Sequence, residues 1–280
     1  MTRPLLMTTT PPEVMDATLG AVTVGLVPVM GALHEGHLAL IRRSDLENDD
    51  TVVAVFDPNG SATPISEEDM RTAHDEGARI VYRPDPETIF PDGFATHILV
   101  DGLDDRWEGE FRPGRTGRTT AYFAILLNQL QPTRVYVGEK HLQRLALLRQ
   151  MQRDLSLPGE IVACPTVRDP DGLPLSSYNT RLSPQEREAA IAIPDALFAI
   201  QQRVVEGETD PEKLIAAGRE ILGAQTGVEL QYLAIVDPET FDPVGRVVTG
   251  SRAIVAAKVG EIRIIDNIHL DPGGMGNGEA

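Results

Sequence analysis

The stretch from Val22 to Leu40, VTVGLVPVMGALHEGHLAL, constrains the fold more than any other part of the chain. Val22, Val24, Leu26, Val27 and Val29 form a near-continuous apolar run, as expected for a strand covered on both faces in a parallel sheet. Gly31 then lets the chain turn, and Leu38, Leu40, Ile41 and Leu46 make the inner side of a helix. His34 and His37 stand three apart at the start of that helix, so they project together. The unsatisfied amides and the positive dipole end there favour an anion. Two imidazoles add donors that follow charge as it develops on a phosphate. A bare HxxH would more simply be two surface histidines in one turn; the strand, the Met30-Gly31 turn and the helix around it favour the phosphate reading. Zinc fits poorly, because the i, i+4 spacing and a matching third ligand are missing.

The rest of the first half alternates strand and helix. Strands are predicted over 51–56, 79–82, 134–137 and 160–163, and helices over 67–76, 118–130 and 141–155. Ser66 is a suitable N-cap, and Gly77 closes the helix it opens. The alternation implies a right-handed parallel α/β sheet. Residues 84–117, rich in Pro, Gly and Asp, suit a rim or lid. The polar turn VRDPDGLPLSSYN, Val167 to Asn179, falls where ligands collect at the carboxyl edge of such a sheet. One long helix is predicted from Ser183 to Glu206, then a linker-like break over 207–211, a helix over 211–222 and strands over 229–236, 252–259 and 261–265. These features predict an α/β domain over residues 1–179, a smaller C-terminal α+β domain over 180–270 that closes on it, and a disordered tail over 271–280.

Composition narrows the setting. A chain of 280 residues with 41% hydrophobic content builds a real core. A formal net charge of -17 argues against nucleic acid as a partner, since its phosphates would be repelled. Cys164 is the single cysteine, so no internal disulfide forms and a reducing compartment is expected. The opening MTRPLLMTTTPPEVM is too short in apolar residues for a signal peptide, and no run reaches membrane-spanning length. The expectation is a soluble cytoplasmic protein without a membrane partner.

Further motifs sharpen the function. VPVMGALHEGHLALIRRS resembles the first motif of the pantothenate synthetase (pantoate–beta-alanine ligase) family, within the HxGH nucleotidyltransferases. Gly138-Glu139-Lys140 is similar to that family's GEKD segment, and PTVRDPDGLPLSSYN to its PTVR-DGLA-SSRN segment. YLAIVDPETFDPV and AAKVGEIRIIDNI resemble its small C-terminal domain, so the similarity runs from about Val22 to Ile268. The resemblance implies a Rossmann-like domain and a two-step reaction. ATP and pantoate form pantoyl adenylate and pyrophosphate; the amine of beta-alanine then displaces AMP, with Mg2+ assisting the first step. It implies ATP binding by Met30, His34, His37, Gly138, Lys140, His141, Ser176 and Ser177, with His34, His37 and Lys140 carrying the catalysis. Glu68 and Asp69 stand where the family has acidic residues near the metal. A homodimer through the first domain is also implied.

The departures from the family pattern concentrate on the acid substrate. Asp57 and Gly60 stand for an asparagine and a glutamine that contact pantoate, Arg115 for a histidine and Arg144 for a second glutamine. His141 stands for an aspartate on the ribose, and Tyr178 for a phosphate-binding arginine. A carboxylate at position 57 is wrong for an anionic substrate unless a cation compensates it. Three readings follow: a working ligase in which Arg115 and Arg144 compensate, a paralogue adenylating another small acid, and a catalytically impaired nucleotide-binding homologue.

Overall fold

The computed structural model describes residues 4–58 and 65–273. Gly60 and residues 274–280 of the expected tail lie outside the described residues. Packing divides the chain into two compact units: residues up to Glu139 with Leu147–Val167, and Lys140–Ala146 with the chain from Arg168 onward. The second unit begins ahead of the Ser176-Ser177 turn because Arg168 is tied by both guanidinium arms to Asp266 near the end of the chain.

The first unit holds strands β1 (Leu6–Thr8), β2 (Val24–Val29), β3 (Asp50–Val55), β4 (Ile80–Tyr82), β5 (Arg134–Gly138) and β6 (Glu160–Cys164). They form one six-stranded parallel sheet in the order β1-β4-β3-β2-β5-β6. From β2 the chain builds outward through β3 and β4 on one side, then returns to add β5 and β6 on the other. The sheet therefore reverses its winding between β2 and β5, the position at which open α/β sheets form their ligand crevice. Helices α1 (Pro11–Thr18), α2 (Glu35–Glu47), α3 (Glu67–Asp75), α4 (Pro86–Ile89), α5 (Glu108–Phe111) and α6 (Arg115–Leu130) connect these strands. Helix α7 (Leu142–Leu155) begins among residues of the second unit and ends in the first. Helix α2 sits so close to β2 that a Cβ at Gly25 would overlap the side chains of Ser44 and Asn48. The Ser44 and Thr51 hydroxyls, 2.8 Å apart, fasten the same helix to β3.

Val27, Val29, Ile41, Val53, Val81 and Tyr136 build the core of this unit together with Cys164. Burial pushes the Cys164 thiol up to about 11, against the opposing Arg43 guanidinium, which donates to Ala163 O at 3.2 Å and lies 3.8 Å from Sγ.

The second unit contains α8 (Pro184–Ala190), α9 (Ala192–Val205) and α10 (Pro211–Gly223), then β7 (Val228–Val236), β8 (Arg252–Val259) and β9 (Ile262–His269) in an antiparallel sheet ordered β7-β8-β9. Its own core gathers Ile193, Leu197, Ile200, Leu214, Leu233, Val255 and Ile264.

Several elements differ from the expectation. β1 and α1 are additions; the strand has only three residues, too few to carry a period, and the helix opens on Pro11-Pro12, where proline is tolerated in a first turn. The single helix expected over 183–206 is two, meeting at Ile191. Pro194 is the cause: it has no N–H for the fourth residue back, and its ring crowds the Ala190 carbonyl, so it fits only the first turn of a new helix. The irregular segment 84–117 contains two single-turn helices. Helix α6 starts three residues early, at Arg115, because Gly114 takes φ +79 and turns the chain into it. Among the described residues no helix is long and apolar enough to cross a membrane.

Candidate active site

In the first unit, β2 ends at Val29 and the chain passes through Met30 to Gly31, which is buried at φ +148, a backbone region that favours glycine. His34 is extended and caps α2 with its backbone: its carbonyl accepts from His37 N at 2.8 Å and Leu38 N at 3.2 Å. The His34 and His37 rings stack with centroids 3.9 Å apart and planes 25° from parallel. The spacing of three thus produces one imidazole pair on the first turn of α2. Glu35, between them in sequence, forms an ion pair with Arg42, which also donates to Glu76 at 2.7 Å. The carboxylate that lies between the two histidines in sequence is therefore held by a cation, at the helix end where an anion would bind.

β3 leaves the sheet through Phe56-Asp57-Pro58. The Phe56 ring lies 5.8 Å from Phe90 and 5.1 Å from Tyr122. Arg118, in the first turn of α6, donates Nε to Pro58 O at 2.5 Å and sets its guanidinium 4.0 Å from the centre of the Phe90 ring. A cation is thus anchored on the residue after Asp57. Arg115 opens the same helix, whose first turn carries no acidic residue. The Tyr122 hydroxyl is buried without a hydrogen-bond partner among the described residues. Burial raises its pKa most, with Tyr82 and Asp57 adding to the effect. Sequence reasoning placed Arg115 on the acid side and read Arg118 only as the start of a helix; nothing local marks a side chain whose partner is a carbonyl in another loop.

Asp69 accepts from Ser66 N at 2.9 Å while Ser66 Oγ accepts from Asp69 N at 3.0 Å, so Asp69 completes a capping box on α3, and Glu68 beside it is exposed. Among the described residues no three histidine, cysteine or acidic side chains gather where they could hold a metal. These residues do not fit a resident magnesium site. They suit an ion that keeps its waters and arrives on substrate phosphates.

In the second unit, Lys140 Nζ donates to Leu175 O at 2.8 Å and Pro174 O at 3.3 Å. Its pKa is pushed down to about 8, first by burial; Asp266 opposes the shift, Arg168 adds to it, and Asp169 opposes it. Asn179 Nδ2 donates to the same Pro174 carbonyl at 3.0 Å, and Asn179 N to Ser176 O at 3.0 Å. Ser176 Oγ accepts from Tyr178 N at 3.3 Å, and Ser177 O from Thr180 Oγ1 at 2.9 Å. The fold thereby fastens Lys140 to the carbonyls of the two residues just ahead of the serines. His141 ends the 3₁₀ turn Glu139–His141 that carries Lys140, and Arg144 lies in the first turn of α7, next to the buried Gln143.

A framework of ion pairs stiffens this turn. Arg168 grips Asp266 at 2.7 and 2.9 Å, donates to Gly172 O at 2.9 Å and lies 5.2 Å from the Phe198 ring centre. Arg187 spans Asp171 and Asp169, both at 2.8 Å. The DPDG turn is closed by Gly172 at φ +86. Burial raises the Asp266 pKa, and Arg168 is the largest of the opposing influences.

A family model described as pantoate-beta-alanine ligase matches residues 8–269. A pantothenate synthetase of Rubrobacter xylanophilus is 43% identical over 268 residues, covering 90% of this chain and 92% of that protein. The crystal structure of pantothenate synthetase from Thermus thermophilus superposes with a TM-score of 0.90 at 39% identity, over 96% of this chain and 100% of that one. The pantoate-beta-alanine ligase of Francisella tularensis, solved with beta-gamma ATP and beta-alanine, gives a TM-score of 0.76 at 26% identity, over 95% and 97%.

Proposed function

The chain belongs to the pantoate-beta-alanine ligase family, and from that premise we infer how its own residues divide the ATP-dependent ligation of pantoate and beta-alanine to pantothenate. The observation that carries the reading is the stacked His34–His37 pair on the first turn of α2, directly after the strand beside the sheet's reversal point. In the first step a pantoate carboxylate oxygen bonds to the α-phosphorus of ATP and the bond to the departing pyrophosphate breaks. His34, His37 and the amides of α2 donate to the phosphate oxygens on which charge accumulates, and Met30 and Gly138 line the nucleotide. Lys140, a cation below its pKa of about 8, meets the polyphosphate with Ser176 and Ser177, and His141 takes the ribose side. In the second step the neutral amine of beta-alanine attacks the acyl carbon and AMP leaves.

ATP enters with Mg2+ as one substrate, and the exposed Glu68 with Asp69 are the carboxylates we assign to its hydrated ion. On the acid side we assign Arg144 as a further cation for the acid, and Arg118 and Arg115 offset Asp57. The anchoring of Arg118 on Pro58 O and Phe90 supports that assignment. The functional unit is a homodimer; the exposed apolar side chains of Leu19, and of Val22 and Leu46, which the apolar pattern places inside but which lie outside β2 and on the open side of α2, support this, and light scattering showing a monomer at micromolar concentration would reject it. The activity is tested by pyrophosphate release from MgATP, dependent on pantoate, and AMP release dependent on beta-alanine. No pantoate-dependent release at millimolar pantoate would overturn the reading.

A further inference from the structure

The Lys140 ammonium donates to two neutral carbonyls, Leu175 O and Pro174 O. A cation drawn out of water is costly unless a negative charge offsets it. Among the described residues, the second unit has one buried carboxylate, that of Asp266 in β9. A ring of hydrogen bonds within that unit joins it to the lysine. Asp266 accepts from both arms of Arg168, and Arg168 donates on to Gly172 O at 2.9 Å, so the carboxylate holds the turn whose next carbonyls take the ammonium. Asn267 closes the ring from the other side: its N–H donates to Asp266 Oδ1 at 2.8 Å, and its Nδ2 donates to Lys140 O at 3.4 Å. Main chain and side chain of Lys140 are therefore both tied back to the Asp266-Asn267 dipeptide. The charges that act on the ammonium are Asp266 first, which favours its charged form, then Arg168, which opposes it, and Asp169, which favours it while itself held by Arg187 at 2.8 Å. A clip for the turn alone would not need a charge, because a buried ion pair can often be replaced by apolar side chains at little cost.

We propose that Asp266 is a positioning residue for Lys140: through Arg168 and Asn267 it fixes where the lysine sits, and its carboxylate is the buried counter-charge that keeps the ammonium charged for an anionic substrate. That this anion is the ATP polyphosphate rests on the reading above; the counter-charge itself is tested without ATP.

The chain has three lysines, of which Lys213 and Lys258 are exposed. In the magnetic resonance spectrum of the full-length, ATP-free protein, the lysine ε-carbon signal that is missing from Lys140→Ala therefore reports Lys140 alone. Its titration midpoint, expected at about 8 in the unmodified protein, should fall by about one unit or more in Asp266→Asn, which keeps the shape of the side chain but not its charge. Calorimetric ATP affinity of that variant should then fall about tenfold at pH 9, since one unit is a factor of ten, and show no loss at pH 6, where the lysine is charged in both proteins. Thermal melts establish that the variant is folded. If it is not, Arg168→Met with Asp266→Leu takes its place, an apolar pair in which the midpoint still falls because the carboxylate outweighs the guanidinium. An unmoved midpoint in the folded variant, or an ATP loss equal at pH 6 and pH 9, overturns the proposal and leaves Asp266 a clip for the turn. A midpoint that falls in a protein that binds no ATP at either pH upholds the counter-charge and overturns the ATP reading instead.

Discussion

Replacing His34 or His37 with alanine should lower kcat for pyrophosphate release by about 10²–10³ while the melting temperature stays near that of the unmodified chain, because both rings are half-buried on an outer helical turn. Lys140 makes a pH-dependent forecast. Its folded pKa of about 8 lies below the ordinary 10.5, so without ATP the lysine loses its charge as pH rises through 8, and a bound polyphosphate favours the charged form. ATP binding should therefore take up a proton near pH 8 and weaken above it; calorimetry in buffers of different ionisation heat reads the uptake, which Lys140→Ala should remove. For the fold alone the sign is opposite: between pH 8 and 10.5 the unfolded chain holds more protons, so this group's contribution to stability rises with pH. On the acid side, Arg118→Ala should raise the pantoate KM about tenfold or more, as for loss of one contact to a charged group, and leave the ATP KM nearly unchanged. An equal rise in both would place Arg118 in general packing. The histidines were legible because their meaning lies in a local spacing of three. Arg118 was not, since its partner is a carbonyl 60 residues away.

At the scale of elements, buried parallel strands announce themselves as apolar runs, and β2, β3, β5 and β6 were readable within a residue or two. The strand order was not, because nothing in a strand's composition names its neighbour. The break between α8 and α9 was present in the sequence as Pro194, outweighed by an apolar pattern that continues through it. Ser66 shows the converse: it was read as a cap from residue type and forms a capping box with Asp69. The Arg168–Asp266 pair escaped notice because a buried ion pair between distant segments leaves no periodic trace. It fastens the DPDG turn to β9, so Arg168→Met should leave a buried, uncompensated carboxylate and cost about 3–5 kcal/mol. Denaturant unfolding measures this, and a change under about 1 kcal/mol would mean that Asp266 simply takes a proton.

For the whole molecule, the -17 net charge opposes the approach of two anionic substrates. The site cations therefore work against the far field of their own protein, and moderate salt should speed ATP association even as it weakens the bound contacts. The family resemblance located the reaction and brought Arg115 and Arg144 to the acid side, while Arg118 drew attention only when the chain was folded. Cys164 has a different consequence. It ends β6, an edge strand of the parallel sheet, and its thiol is both buried and held near 11. A thiolate must form before it can react, so the native protein should resist a thiol reagent at neutral pH that labels the unfolded chain within seconds. The single cysteine is thus a native clock for the opening of the sheet. If labelling rates rise with urea along a shallow slope, the β6 edge frays by itself; a slope equal to that of global unfolding means that the strand is released only when the first unit comes apart.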